Sequence, residues 1–156
     1  MKNKLWWRLL LWGLTLATAG AIFWFSSQTA EQSGSLSGEV TQGLFGYLFS
    51  FFRLSEEVQI AVHVGLRSAA HIGIFAVLGL FASLLSYSYT RRFWHAITAI
   101  SCVLYAVTDE WHQLLVGAGR AFEWSDVVRD SMGVFLGIGT TALITALYTR
   151  LKRKGK

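Results

Sequence analysis

The chain has 156 residues, the length of one domain, is 53% hydrophobic and only 15% charged, and contains no proline, seven Trp and eleven Phe. That composition excludes a disordered chain and a Pro-rich or collagenous one, and the single Cys102 excludes an intramolecular disulfide framework or a cysteine-clustered metal centre. The net charge of +5 comes without a recognisable binding module, so no nucleic-acid partner is expected.

Residues 9–26, 72–90, 93–108 and 131–149 contain no Asp, Glu, Lys or Arg. A helix of about 20 apolar residues crosses a hydrocarbon core of roughly 30 Å. With modest flanks, four spans are predicted, at about 5–25, 65–85, 93–111 and 125–148. A soluble helix would carry a polar face at 3.6-residue spacing, and these runs are apolar all round. The chain therefore reads as one all-α transmembrane domain over 1–156, a small bundle of about four helices. The first run contains Ala17-Thr18-Ala19, which resembles a signal-peptide cleavage site. The tripeptide lies inside a run that continues through Phe25 and exceeds the usual core of roughly 7–15 residues, so an uncleaved first span is expected.

Between the first two spans, 26–64 forms the longest loop. It opens with the polar run from Ser26 to Ser35 and continues with Leu44, Phe45, Tyr47, Leu48, Phe49, Phe51 and Phe52. This aromatic stretch is too short to span. It predicts an interfacial or re-entrant helix, or a lid packed over the bundle. Glu56 to His63 is expected to begin a helix continuous with the second span.

Basic residues near span ends accumulate on the cytoplasmic side. Lys2, Lys4 and Arg8 precede the first span, Arg91 and Arg92 separate the second and third, and Arg150, Lys152, Arg153, Lys154 and Lys156 form a tail at 150–156. These ten of the fourteen basic residues fall on one side of a four-span topology, and all nine acidic residues fall on the other side or at the span ends facing it. The expected arrangement is a multi-pass protein of the bacterial cytoplasmic membrane with both termini cytoplasmic.

Ionisable groups within spans are costly and normally face a bundle interior or a wet cavity. At 1.5 Å per residue, His71 lies roughly 21 Å above Leu85, Asp109 roughly 24 Å above Phe93 and Asp130 roughly 27 Å above Tyr148. Three helices thus bring polar groups to one level near the outer face. Arg67 and His71 share a helical face, as do Asp126 and Asp130, with Arg129 beside them. Gly133 and Gly137 continue that face and would allow close helix approach. Arg67, Arg120 and Arg129 paired with Asp109, Asp126 and Asp130 as interhelical glue is the structural alternative. His63 reads as interfacial, His95 as a span-end residue and Cys102 as a small mid-span filler.

Arg67-Ser-Ala-Ala-His71, Asp109-Glu110-Trp-His112-Gln113, Arg120, Asp126, Asp130 and Gly133, in that order, resemble the VanZ-like membrane proteins over nearly the whole chain. Phe25-Ser26-Ser27-Gln28 resembles their first outer loop. The chain departs from many members at Ser68, Ile74-Phe75 and Ala118. The resemblance implies a cell-envelope role, in a family associated through its named member with low-level resistance to the glycopeptide teicoplanin. It implies no established reaction.

The residues themselves suggest a pocket for an anionic lipid or lipid-linked envelope precursor. Arg67, Arg120 and Arg129 would contact phosphate, with His112, Gln113, Asp126 and Asp130 completing the binding set. His71, Asp109 and Glu110 would act as acid and base groups if chemistry occurs. No cofactor is indicated. A divalent cation held by His71, Asp109, Glu110 and His112 is an alternative, although Asp109 and Glu110 point about 100° apart on a helix. A small transporter and a structural or modulatory protein without catalysis remain open.

Overall fold

The computed structural model describes residues 2–28, 30–116 and 121–154. It is all-helical, with no strand among the described residues, and five helices follow one another: α1 (Lys2–Ser26), α2 (Ala30–Phe51), α3 (Glu56–Tyr89), α4 (Trp94–Val116) and α5 (Trp124–Lys154). Three of them are long and apolar enough to cross a membrane, namely Lys4–Ser26, Glu56–Tyr89 and Trp124–Lys154. The remaining expected span is α4. Its 23 residues measure about 34 Å, and His95, Asp109, Glu110, His112 and Gln113 interrupt its apolar run.

Cross-helix contacts fix the directions. His71 meets Asp130, and Ile72 to Leu80 lie against Gly133 and Gly137, so α3 and α5 run parallel. Thr98 bonds Ser86 and Tyr105 lies beside Phe75, so α4 runs antiparallel to α3. Tyr105 and Asp109 bond Ala19 and Ser26, which makes α1 parallel to α4. The result is an up-down-up-down bundle of α1, α3, α4 and α5. All four helices contribute to the central layer, in which Ile22, Phe75, Leu78, Cys102, Ala106 and Val134 are buried together.

The most extensive interface joins α3 to α5. Its cause is local. A Cβ on Gly133 would collide with the carbonyl of Ile72, one on Gly137 with that of Ala76, and one on Gly79 would lie 2.6 Å from the carbonyl of Val134. The three glycines let the two backbones touch, as small residues do between membrane helices. Ser83 and Thr141, both fully buried, extend this small-residue seam.

The distribution of polarity is inverted relative to a water-soluble bundle. Ile100, Leu104 and Leu136 are 63%, 60% and 58% exposed at mid-helix, while Asp109, Glu110 and Asp130 are 3%, 1% and 0% exposed. A water-soluble monomer rarely leaves so much contiguous apolar surface uncovered, whereas a hydrocarbon surround accounts for both halves of the pattern.

Helix α2 lies outside the bundle and packs mainly on α3. It is longer than the aromatic stretch that predicted it, because the polar run from Ala30 onward is also helical; Ser27 and Gln28 turn the chain after α1. Thr41 and Phe49 are buried beneath α2, and Thr41 Oγ1 lies 3.3 Å from His63 Nδ1. Leu44, Tyr47, Phe51 and Phe52 are exposed, the pattern expected of an interfacial helix. Arg53, at φ 48°, closes α2 with bonds from its own N–H to Ser50 and from the Leu54 N–H to Phe49, an arrangement usually built on glycine.

Candidate functional site

His71, Asp109, Glu110, Asp126 and Asp130 lie at the end of the bundle where α1 and α4 finish and α5 begins. Asp109 Oδ2 accepts hydrogen bonds from Ser26 Oγ at 2.8 Å and from the Gln113 side-chain amide at 3.0 Å. Glu110 turns toward the start of α5, where its Oε2 accepts the backbone N–H of Glu123 at 3.1 Å. The neighbouring carboxylates thus face different neighbours, Asp109 the end of α1 and Glu110 the residue before α5, in keeping with their angular offset. Asp130 faces α3, with His71 Nδ1 3.4 Å from its Oδ1, and Asp126 pairs with Arg129 one turn earlier on α5.

These groups form one electrostatic neighbourhood. Asp109, Asp126 and Asp130 all act on Glu110. His71 feels Asp130, Asp126 and Arg67, and Asp109 feels His71 and His112. Below them Phe75, fully buried one turn after His71, gives the site an apolar floor. Gly133 brings α5 onto this part of α3, so the close backbone seam also sets the approach of Asp130 to His71.

Several oxygens here are buried without a hydrogen bond among the described residues: Asp109 Oδ1, Glu110 Oε1 and both oxygens of Asp130. The His71 imidazole is the ionisable side chain beside Asp130, at a distance longer than a good charge-assisted bond. Such groups are expensive in a membrane interior.

Of the expected residues, His71, Asp109, Glu110, Asp126, Arg129 and Asp130 are brought together. Gln113 is a support for Asp109 on the inside of the bundle. His112 stacks on Phe23 of α1 at 4.1 Å, half-buried. Arg67 is half-buried on α3 one turn before His71, with no carboxylate at ion-pair distance among the described residues. Arg120 lies outside the described residues, so its expected pairing with the carboxylates does too. Pairing of Arg with Asp is confined to Arg129 and Asp126 among the described residues. No three metal-ligating side chains among the described residues gather at one point, so the divalent-cation reading finds no ligand set there.

Ser26 is the partner that residue-by-residue reading missed. It lies at the end of α1, 83 positions from Asp109, and the only signal for it was its place in Phe25-Ser26-Ser27-Gln28.

A family model described as VanZ/LLP1 matches residues 11–145. The chain belongs to the VanZ/LLP1 family. The matched region begins inside α1, ends near the close of α5 and contains every residue of the site. No curated protein and no solved structure matches this VanZ/LLP1 chain.

Proposed function

We propose that this VanZ/LLP1 protein is a multi-pass protein of the bacterial cytoplasmic membrane that binds an anionic lipid or lipid-linked envelope precursor at the Asp109–Asp130 end of its bundle. Both termini are cytoplasmic in this reading, which puts the site at the outer face. The observation that carries it is Arg67: a half-buried guanidinium within electrostatic reach of His71, with no carboxylate partner among the described residues. A planar guanidinium so placed suits a phosphate. Arg129 adds a second cation, and Arg120 belongs to the same proposed set.

His71 and Asp130 form a pair able to hold or pass a proton next to that phosphate, and Asp109 and Glu110 are further acid/base groups. Any reaction at the site would run through them. Gln113, His112 and Asp126 keep these groups in place through the contacts with Asp109, Phe23 and Arg129.

The test is native mass spectrometry of protein extracted with its own membrane lipids. The wild type is expected to retain a phosphate-bearing lipid. Arg67→Gln should weaken retention about tenfold, the worth of one charge-assisted bond. The parallel phenotype is sensitivity to teicoplanin, which Arg67→Gln should shift to that of a strain lacking the protein. Equal retention by wild type and Arg67→Gln would sink the proposal.

A further inference from the structure

A cavity lies toward the opposite end of the bundle and shares no residue with the site above. It is a cleft of about 390 Å³ between α1, α3 and α4. Its deep end is lined by Ala19, Leu78, Ala82 and Cys102, and the bond from the Tyr105 hydroxyl to the Ala19 carbonyl closes it. Polarity rises toward the mouth, where Trp12 and Tyr89 meet through a 3.3 Å bond between indole N–H and phenol oxygen. Arg8 stands over the Tyr89 ring at 4.2 Å and donates one hydrogen bond to the Ser88 carbonyl. A guanidinium carries five N–H donors in all, so most of its donor capacity is left for a ligand.

The dimensions fit one leaflet. From Leu78 to Tyr89 along α3 is about 17 Å, and from Ile97 to Tyr105 along α4 about 12 Å. Half of a hydrocarbon core is about 15 Å. A long apolar slot of that depth, with aromatic rings and a cation at its mouth, matches the order of chemical groups in a membrane lipid. Basic residues dominate this end of the bundle: Lys4 and Arg8 begin α1, Arg91 and Arg92 separate α3 from α4, and Arg150 and Arg153 line a cleft shared with Tyr87 and Trp94. That charge selects an anionic headgroup over a zwitterionic one.

We infer that the α1/α3/α4 cleft holds one acyl chain of an anionic glycerophospholipid from the leaflet at the basic end, with its phosphate on Arg8. The bound lipid fills space that would otherwise separate α1 from the α3/α4 pair and ties α1 into the bundle.

A phosphatidylglycerol with a photoactivatable diazirine in one tail tests this in phosphatidylcholine vesicles containing the full-length protein. Cross-links are expected on the cleft-lining Trp12, Thr15, Ala19, Ser101, Cys102 and Tyr105, with saturation, and unlabelled phosphatidylglycerol should compete. Ala82→Phe should remove them by filling the slot. Arg8→Gln lies outside the packed core and decides the matter if Ala82→Phe fails to fold; it should raise the competing concentration about tenfold. Arg67→Gln, at the other end, should leave the cross-links unchanged. Labelling spread evenly over Leu104, Leu136 and Leu143 would overturn the inference, as would equal competition by phosphatidylcholine or free palmitate, or indifference to Arg8→Gln.

Discussion

At the scale of single residues, Asp130 poses the sharpest question. It is fully buried, lacks a hydrogen bond among the described residues, and has the His71 imidazole 3.4 Å away. A carboxylate kept for stability would be expected to have its lone pairs satisfied, because an unpaired buried charge costs more than it returns. Asp130→Asn preserves shape and removes the charge. The expected outcome is thermal unfolding in detergent at or above the wild-type temperature, together with loss of the proposed lipid retention at the Asp109–Asp130 end. A fall in stability of about 3 kcal/mol or more would instead show the pair to be structural glue. Asp109 differs, since Ser26 and Gln113 both donate to it.

At the scale of helices, three glycines set the geometry. Gly79, Gly133 and Gly137 lie where any Cβ would meet the backbone of the facing helix, which cannot yield as a flexible side chain can. Gly133→Ala is expected to destabilise the protein by about 1–3 kcal/mol, the usual cost of overpacking. It should also displace Asp130 from His71 and so weaken binding at the site. Gly139 is the internal control: on the same helix a Cβ there meets nothing within 4 Å, so Gly139→Ala should be neutral or stabilising by up to about 1 kcal/mol. Chemical denaturation of the three proteins in one micelle system checks the order. The seam was legible in the sequence through the four-residue spacing of Gly133 and Gly137 on the Asp126/Asp130 face. Its partner was not, because nothing in the chain distinguishes Gly79 from Gly73 or Gly65, which face open space. The four long helices could be read from charge-free runs alone. The polar half of α2 could not, since Ser and Gly are weak helix formers and carry little periodic apolar signal.

At the scale of the whole molecule, charge and direction agree. The beginning of α1, the α3–α4 turn and the end of α5 gather at one end, and with them most of the basic residues. The buried carboxylates occupy the other. The four-span topology predicts that a cysteine at Lys154 reacts with a membrane-impermeant maleimide only after the cytoplasmic side is opened, while one at Glu57 reacts from outside in intact cells. Cys102, 4% exposed, should stay silent in both experiments. The reverse labelling pattern would place the site on the cytoplasmic face and remove the outer-leaflet reading. Depth arithmetic put His71, Asp109 and Asp130 at one level, and His71 and Asp130 approach to 3.4 Å. The inward turn of Gln113 and the stacking of His112 on Phe23 were not predictable, because both depend on where α1 sits around the α4 axis.

The parallel pairing of α3 and α5 also has a consequence for how the protein is made. Parallel neighbours must be separated by a return crossing, so the tightest seam in the bundle joins an early segment to the last one. While the ribosome is still adding α4, the face of α3 from Ile72 to Leu80 has no partner, and His71 waits without its carboxylate. Synthesis of α5 supplies Asp130 and the glycine seam in a single stretch of chain. Assembly of the site and closure of the bundle are therefore one late event, and a nascent chain short of α5 is a membrane-inserted protein with an open flank.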